Sequence, residues 1–205
     1  MRTPYKYIAA AVLSFGLAVP VAAQTPEITR VRGTIDTVTP DMVAIKTRDG
    51  SLMKVNLGKQ LVVGTVKKAN LADIKPGTFV GSAAVKGADG KLHALEVHIF
   101  AESQRGTGEG QRGWDAGPDS SMTNATVGEV TATPNNGHSL RLSYKDGKAT
   151  IEVAADTPIV AFAPGDPSLL VKGHAIIAFA MTQADGTLAA NRVIVESRDG
   201  VKPPM

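Results

Sequence analysis

"VRGTIDTVTPDMVAIKTRDGSLMKVNL" at 31–57 and "TVGEVTATPNNGHSLRLSYKDGKATIEV" at 126–153 are one pattern written twice. Each copy has a Gly, an alternating run that ends in T-x-T-P, a second alternating run, Asp-Gly, and a third run. Alternation of apolar and polar residues at period two predicts strands with a single buried face. In the first copy Val43, Ile45 and Thr47 alternate with Lys46 and Arg48, and Met53, Val55 and Leu57 alternate with Lys54 and Asn56. In the second, Leu140, Leu142 and Tyr144 precede Asp146-Gly147, and Ala149, Ile151 and Val153 follow it. Asp-Gly between two such runs predicts a hairpin with a type I′ turn, whose central residues both need positive φ.

The match continues outward, with "IKPGTFVGSAAVKGADGKLHALEVHI" (74–99) set against "LLVKGHAIIAFAMTQADGTLAANRVIV" (169–195). Gly33 and Gly128, Gly50 and Gly147, Gly77 and Gly173, and Gly90 and Gly186 lie 95, 97, 96 and 96 residues apart, which predicts a duplication. Between the third and fourth strands, "NLADIKPG" (70–77) and "GDPSLLVKG" (165–173) read as one or two helical turns. Asn70 and Asp166 suit the N-cap, Pro167 the first helical position, and Pro76-Gly77 the stop. Two more strands follow in each copy, at 78–86 and 91–99 and at 174–182 and 187–196. Three strands, a short helix and two strands is the element order of the five-stranded Greek-key OB barrel. The expected fold is all-β, with two tandem five-stranded OB-like Greek-key barrels at 24–102 and 125–198. Each has a short helical turn between its strands 3 and 4, and a flexible tail spans 199–205.

The run of Gly, alternating strand, Asp-Gly hairpin, "LADIKPG" and "ADGKLHALEVHI" resembles the secreted OB-like domains of unknown function, often in tandem, of proteobacterial periplasmic proteins. The inter-repeat "GQRGWDAGPDSSMTNATVGEV" is similar to the same segment of alphaproteobacterial members. The resemblance spans roughly residues 29–197 and implies a fold and a compartment. Its motifs specify turns and packing, and it supplies no catalytic residue.

At the N-terminus, Arg2 and Lys6 precede an apolar run from Tyr7 to Val19, then Pro20 and Val21-Ala22-Ala23. This is the layout of a secretory signal peptide, 1–23, with cleavage expected after Ala23 and the periplasm or the medium as the address. The run falls short of the roughly 20 apolar residues of a membrane anchor and is broken by Gly16 and Pro20. Later apolar stretches such as "HAIIAFAM" (174–181) have strand length, so an integral membrane protein is not expected. Removing 1–23 takes Arg2 and Lys6 from 22 basic residues and nothing from 19 acidic ones, leaving a near-neutral chain. With no Cys, thiol chemistry and disulfides are excluded.

The segment 103–124, "SQRGTGEGQRGWDAGPDSSMTN", reads as a Gly-rich linker holding the chain's single Trp. Its Gly-rich half, 103–111, is expected to be mobile. Its second half, 112–124, is expected to be ordered, with Trp114 packed on a barrel or in the groove between barrels, because burying an indole is worth about 2–3 kcal/mol.

No catalytic constellation is present, so the chain is expected to be a non-enzymatic binding or assembly module that needs no cofactor. Its partner is expected to be a periplasmic protein or envelope component. Nucleic acid is not expected: single-strand binding wants aromatic platforms beside a basic groove, and Phe79, Phe100, Phe162 and Phe179 read as core. Lys59, Lys67 and Lys68, joined by Trp114, are the candidate contacts for an envelope glycan or other polyanion. Glu96 and His98 share one face of a strand and are the candidate ligands of a periplasmic metal site, provided a third comes from elsewhere.

Overall fold

The computed structural model describes residues 28–204, so the expected signal segment lies outside the described residues. The strands are β1 (Ile28–Val38), β2 (Met42–Thr47), β3 (Leu52–Lys68), β4 (Phe79–Lys86), β5 (Leu92–Ile99), β6 (Gly110–Gly113), β7 (Ser120–Ala132), β8 (His138–Tyr144), β9 (Gly147–Val153), β10 (Ile159–Pro164), β11 (Ala175–Thr182) and β12 (Leu188–Val195). The other regular elements among the described residues are single 3-10 turns. Two of them, Leu71–Asp73 and Pro167–Leu169, stand where the short helices are expected. Asp166 caps its turn by accepting from the Ser168 N–H at 2.9 Å. At Asn70 the direction reverses, the backbone N–H donating to Asp73 at 2.8 Å.

A closed five-stranded barrel forms from β1, β2, β3, β12 and β11. Antiparallel ladders join β11, β1, β2 and β3 in turn and β11 to β12. A parallel ladder running from Leu188↔Val55 to Val195↔Thr65 closes the ring. A second ring has the same order: β4, β7, β8 and β9 pair in succession, β5 lies on β4, and a short parallel contact at Leu92↔Ile151 and His93↔Glu152 closes it.

The expected boundaries, 24–102 and 125–198, therefore do not each enclose a barrel: each ring takes three strands from one half and two from the other. The reason lies in β3. Its 17 residues at about 3.3 Å each reach at most roughly 56 Å, two to three times the length of the six to eight residues of β2 or β4. β3 therefore overshoots its own ring and delivers the chain to the other, where β4 and β5 form. The overhang is not left bare, because β10 pairs with it antiparallel from Pro164↔Gly64 to Val160↔Lys68. Packing follows the pairing: one core joins Val31, Ile35, Ile45 and Val55 to Ile176, Val193 and Val195. The other joins Val80 and Val97 to Leu140, Leu142 and Ile151.

Two turn expectations are revised. Of the Arg48-Asp49-Gly50 residues only Gly50 is left-handed (φ 85°), so the first hairpin is a three-residue loop with a closing Gly. In the second, Tyr144 pairs with Gly147, and neither Lys145 nor Asp146 has positive φ. Neither hairpin is type I′. The segment 103–111, expected to be mobile, is folded as well. Arg105 donates to Gly77 O at 2.8 Å and Thr126 Oγ1 at 3.1 Å, and Gly110 begins β6, which pairs with β7. The expected free tail also packs, with Pro203 buried.

Register corrects one pair of matched glycines. Ile35 exchanges backbone bonds with Gly173 and His174, as Val127 does with Gly77 and Thr78. Ile35 thus corresponds to Val127, and Gly33 corresponds to Ala125 rather than Gly128. A Cβ on Gly33 would meet the Lys46 carbonyl O at 2.1 Å, whereas one on Gly128 finds its nearest neighbour at 3.5 Å. Gly33→Ala is expected to destabilise the protein by about 2–3 kcal/mol and Gly128→Ala by under about 0.5 kcal/mol, as read from urea denaturation midpoints.

Candidate functional site

Strand alternation that sends Val31 and Ile35 of β1 and Ile176 and Ala178 of β11 inward leaves Arg30, Arg32, Ile177 and Phe179 on the outside of the first barrel. Arg192 and Ile194 of β12 continue that outer face, Phe179 standing between Arg30 and Arg192 in register. On the second barrel, Val97 and Ala125 point inward, and Glu96, His98, Met122 and Asn124 face out. The two outer faces meet around a cavity of about 110 Å³, lined also by Phe100, Phe162, Arg112 and Trp114.

Trp114 arrives on the β6–β7 hairpin. Its backbone N–H donates to Ser120 O at 3.0 Å, and Ser120 Oγ donates back to Trp114 O at 2.8 Å. Asp119 closes the loop in the left-handed region (φ 57°), which a short Asp side chain tolerates. The half-buried indole is surrounded by guanidinium groups. Arg32, Arg30 and Arg112 lie 4.8, 5.3 and 5.5 Å from its centroid, within cation–π range. A fourth, Arg192, sits 4.9 Å over Phe179. Arg32 also ion-pairs with Asp115, the residue after Trp114. Counting Asp115 and Glu96 against these four arginines leaves two positive charges in excess. Burial, and then the charge of Arg30, holds Arg112 below its ordinary pKa, and burial does the same to Arg192.

Gly81 of β4 lies opposite both His98 and Asn124, and its missing side chain makes room for them. A Cβ there would stand 2.0 Å from His98 Nε2 and 2.7 Å from Asn124 Oδ1. The His98 ring also packs at 5.0 Å on both Phe100 and Phe162. Burial first, and then the Arg112 charge, pushes its pKa down to about 3, so His98 is neutral at physiological pH.

The structure brings Trp114, Glu96 and His98 into one cleft and leaves Lys59, Lys67 and Lys68 out of it. The lysines are exposed, and Lys68 edges a separate depression with Asn136 and Lys202. The metal reading finds no support in the donor set. Among the described residues no three His, Cys, Asp or Glu side chains gather, and the Arg112 charge bears on His98. The arginines had a sequence signal, Arg30-x-Arg32 and Arg112-x-Trp114, each at the period that puts both members on one strand face.

Comparison with known proteins finds no family model, no curated protein and no solved structure that matches the chain.

The buried imidazole makes stability depend on pH. Because the folded-state pKa lies below the unfolded value near 6.5, the His98 contribution is complete above about pH 6.5 and is lost as pH falls toward the folded value of about 3. Between pH 7 and pH 5 the wild type is expected to lose about 2 kcal/mol that His98→Phe does not lose. Urea titrations of both proteins at the two pH values measure the difference.

Proposed function

We propose that the chain is a secreted, non-enzymatic binding module of two OB-like barrels derived by duplication, and that its ligand is an anion held in the cleft between them. The observation that carries this reading is the cluster of guanidinium groups around Trp114, two charges in excess of the carboxylates beside it. Guanidinium groups held close together repel one another, and an anion is the partner that relieves the repulsion.

The OB-like assignment rests on strand order. With β1, β2 and β3 as strands 1 to 3 and β11 and β12 as strands 4 and 5, strand 1 lies between 2 and 4, and 3 meets 5 in parallel. Two further facts support duplication. The β4–β5 and β11–β12 ladders shift register at Ala83 and Phe179, again 96 residues apart. The antiparallel β3–β10 pair is centred on Val66↔Phe162, also 96 apart. Antiparallel pairing between equivalent positions is what a two-fold axis produces, so the molecule has the form of a strand-exchanged dimer joined into one chain. The signal-peptide pattern supports a periplasmic setting, and among the described residues no helix is long and apolar enough to cross a membrane.

Trp114, the only tryptophan, reports on the cleft directly. The ratio of iodide to caesium quenching is expected to exceed that of free N-acetyltryptophanamide several-fold at equal ionic strength, and Arg112→Gln with Arg192→Gln is expected to bring it back to that of the free compound. A ratio no greater than that of the free compound would overturn the reading.

A further inference from the structure

The cleft is more specific than a basic surface. Its floor is apolar, built from Phe100, Phe162, Phe179, Ile177, Ile194 and Met122, with Arg30, Arg112 and Arg192 also on its walls. Four buried polar atoms of lining residues lack hydrogen-bond partners: Arg32 Nε, Trp114 Nε1, His98 Nδ1 and Asn124 Oδ1. His98 and Asn124 are only 5% and 4% exposed. Buried polar groups are as a rule satisfied, so a concentration of orphaned ones around a single cavity marks a place for an absent partner. Asn124 is held by its other end, Nδ2 donating to Thr107 O at 2.9 Å, which leaves Oδ1 turned toward Gly81 and the cleft. Arg112 is likewise held, through Nη1 to Gly108 O at 2.9 Å.

We infer that the cleft binds a compact oxyanion joined to an apolar body about the size of one aromatic ring. The inference rests on the anion-binding reading and names its ligand class. The size comes from the cavity: about 110 Å³, against the roughly 150 Å³ of an engineered apolar cavity that admits benzene. A long polyanion does not fit such a space. A bare anion would leave the phenylalanine and isoleucine floor uncovered. The oxyanion takes charge-assisted bonds from the guanidinium groups and the indole N–H, and the ring lies against the phenylalanines. Carboxylate, sulfonate and phosphate heads share this chemistry, and the probes separate them.

The test titrates the full chain with benzoate, benzenesulfonate, phenyl phosphate, inorganic phosphate and benzyl alcohol, read by Trp114 emission and by calorimetry. At least one of the first three is expected to bind at one per chain and about tenfold or more tighter than either inorganic phosphate or benzyl alcohol. Arg112→Gln and Arg192→Gln are each expected to weaken that binding about tenfold at an unchanged melting temperature. Arg141→Gln, at a surface pair with Glu129, leaves it unaltered. Inorganic phosphate binding as tightly as the aryl anions, no binding of any aryl anion, or binding indifferent to both cleft variants would each overturn the inference. The wild-type series decides the matter even if a variant fails to fold. Preferential iodide quenching without aryl-anion binding would sink this inference alone, and loss of both would sink the anion-binding reading with it.

Discussion

The parallel ladder between β3 and β12 is the constraint on which the rest of the structure depends. It joins residues as far apart as Val55 and Leu188, and at its other end the Val195 carbonyl also accepts from Thr65 Oγ1 at 2.9 Å. The first ring cannot close until both ends of the described chain are present, so loop-closure entropy is met before its core is complete, whereas the second closes within residues 79–153. That places the first barrel among slow-folding β topologies. The usual picture of beads on a string does not apply, because the second barrel lies in the chain between the two parts of the first.

The cleft is a product of the same constraint. The overhang of β3 and its partner β10 hold the two rings side by side, with Phe162 at the centre of that pair and also in the cleft wall. Positions equivalent by the 96-residue offset face one another here with different residues: Glu96 with Arg192, His98 with Ile194, Gly81 with Ile177. One side contributes polar groups and space, and the other contributes bulk and charge. The two sides of the cleft therefore differ in chemistry, which makes the site directional.

Much of the fold is legible in the sequence. Alternation in β2, β3, β8 and β9 places the hairpins, and the Pro and Asp signals at 166–167 place a 3-10 turn. Gly77 with Gly173 and Gly90 with Gly186 mark the same turns, at φ values of 91° and 92° and of 78° and 80°. The exchange of strands is not legible, for a physical reason. Because both copies carry the same pattern, β4 and β5 bury the same faces whether they close one ring or the other. What decides between the two is where the chain runs after the third strand: β3 continues into the overhang, and β9 reaches it through a short turn and β10. In the site, Trp114, Glu96 and His98 could be singled out as polar or aromatic residues in unusual settings. Arg30, Arg32, Arg112 and Arg192 could not be gathered, because three separate segments supply them. The exposed lysines drew attention by their sequence proximity, which does not bring them to the cleft. Gly33 and Gly128 shared a sequence pattern, yet one makes a close backbone approach and the other sits at a bulge.

The stretch from Phe100 to Asp119 takes on a different meaning in an entwined molecule. In a chain of independent barrels it would be the tether that keeps two objects together. Here the halves are clasped by their own strands, β11 and β12 locked into the ring of β1 to β3 and β4 and β5 into the ring of β7 to β9. A chain nicked in this stretch would still hold together as two interlocked pieces. Relieved of the work of connecting, the stretch is free to serve as furniture for the cleft, presenting Arg112 and Trp114 to a surface that the clasp has already assembled.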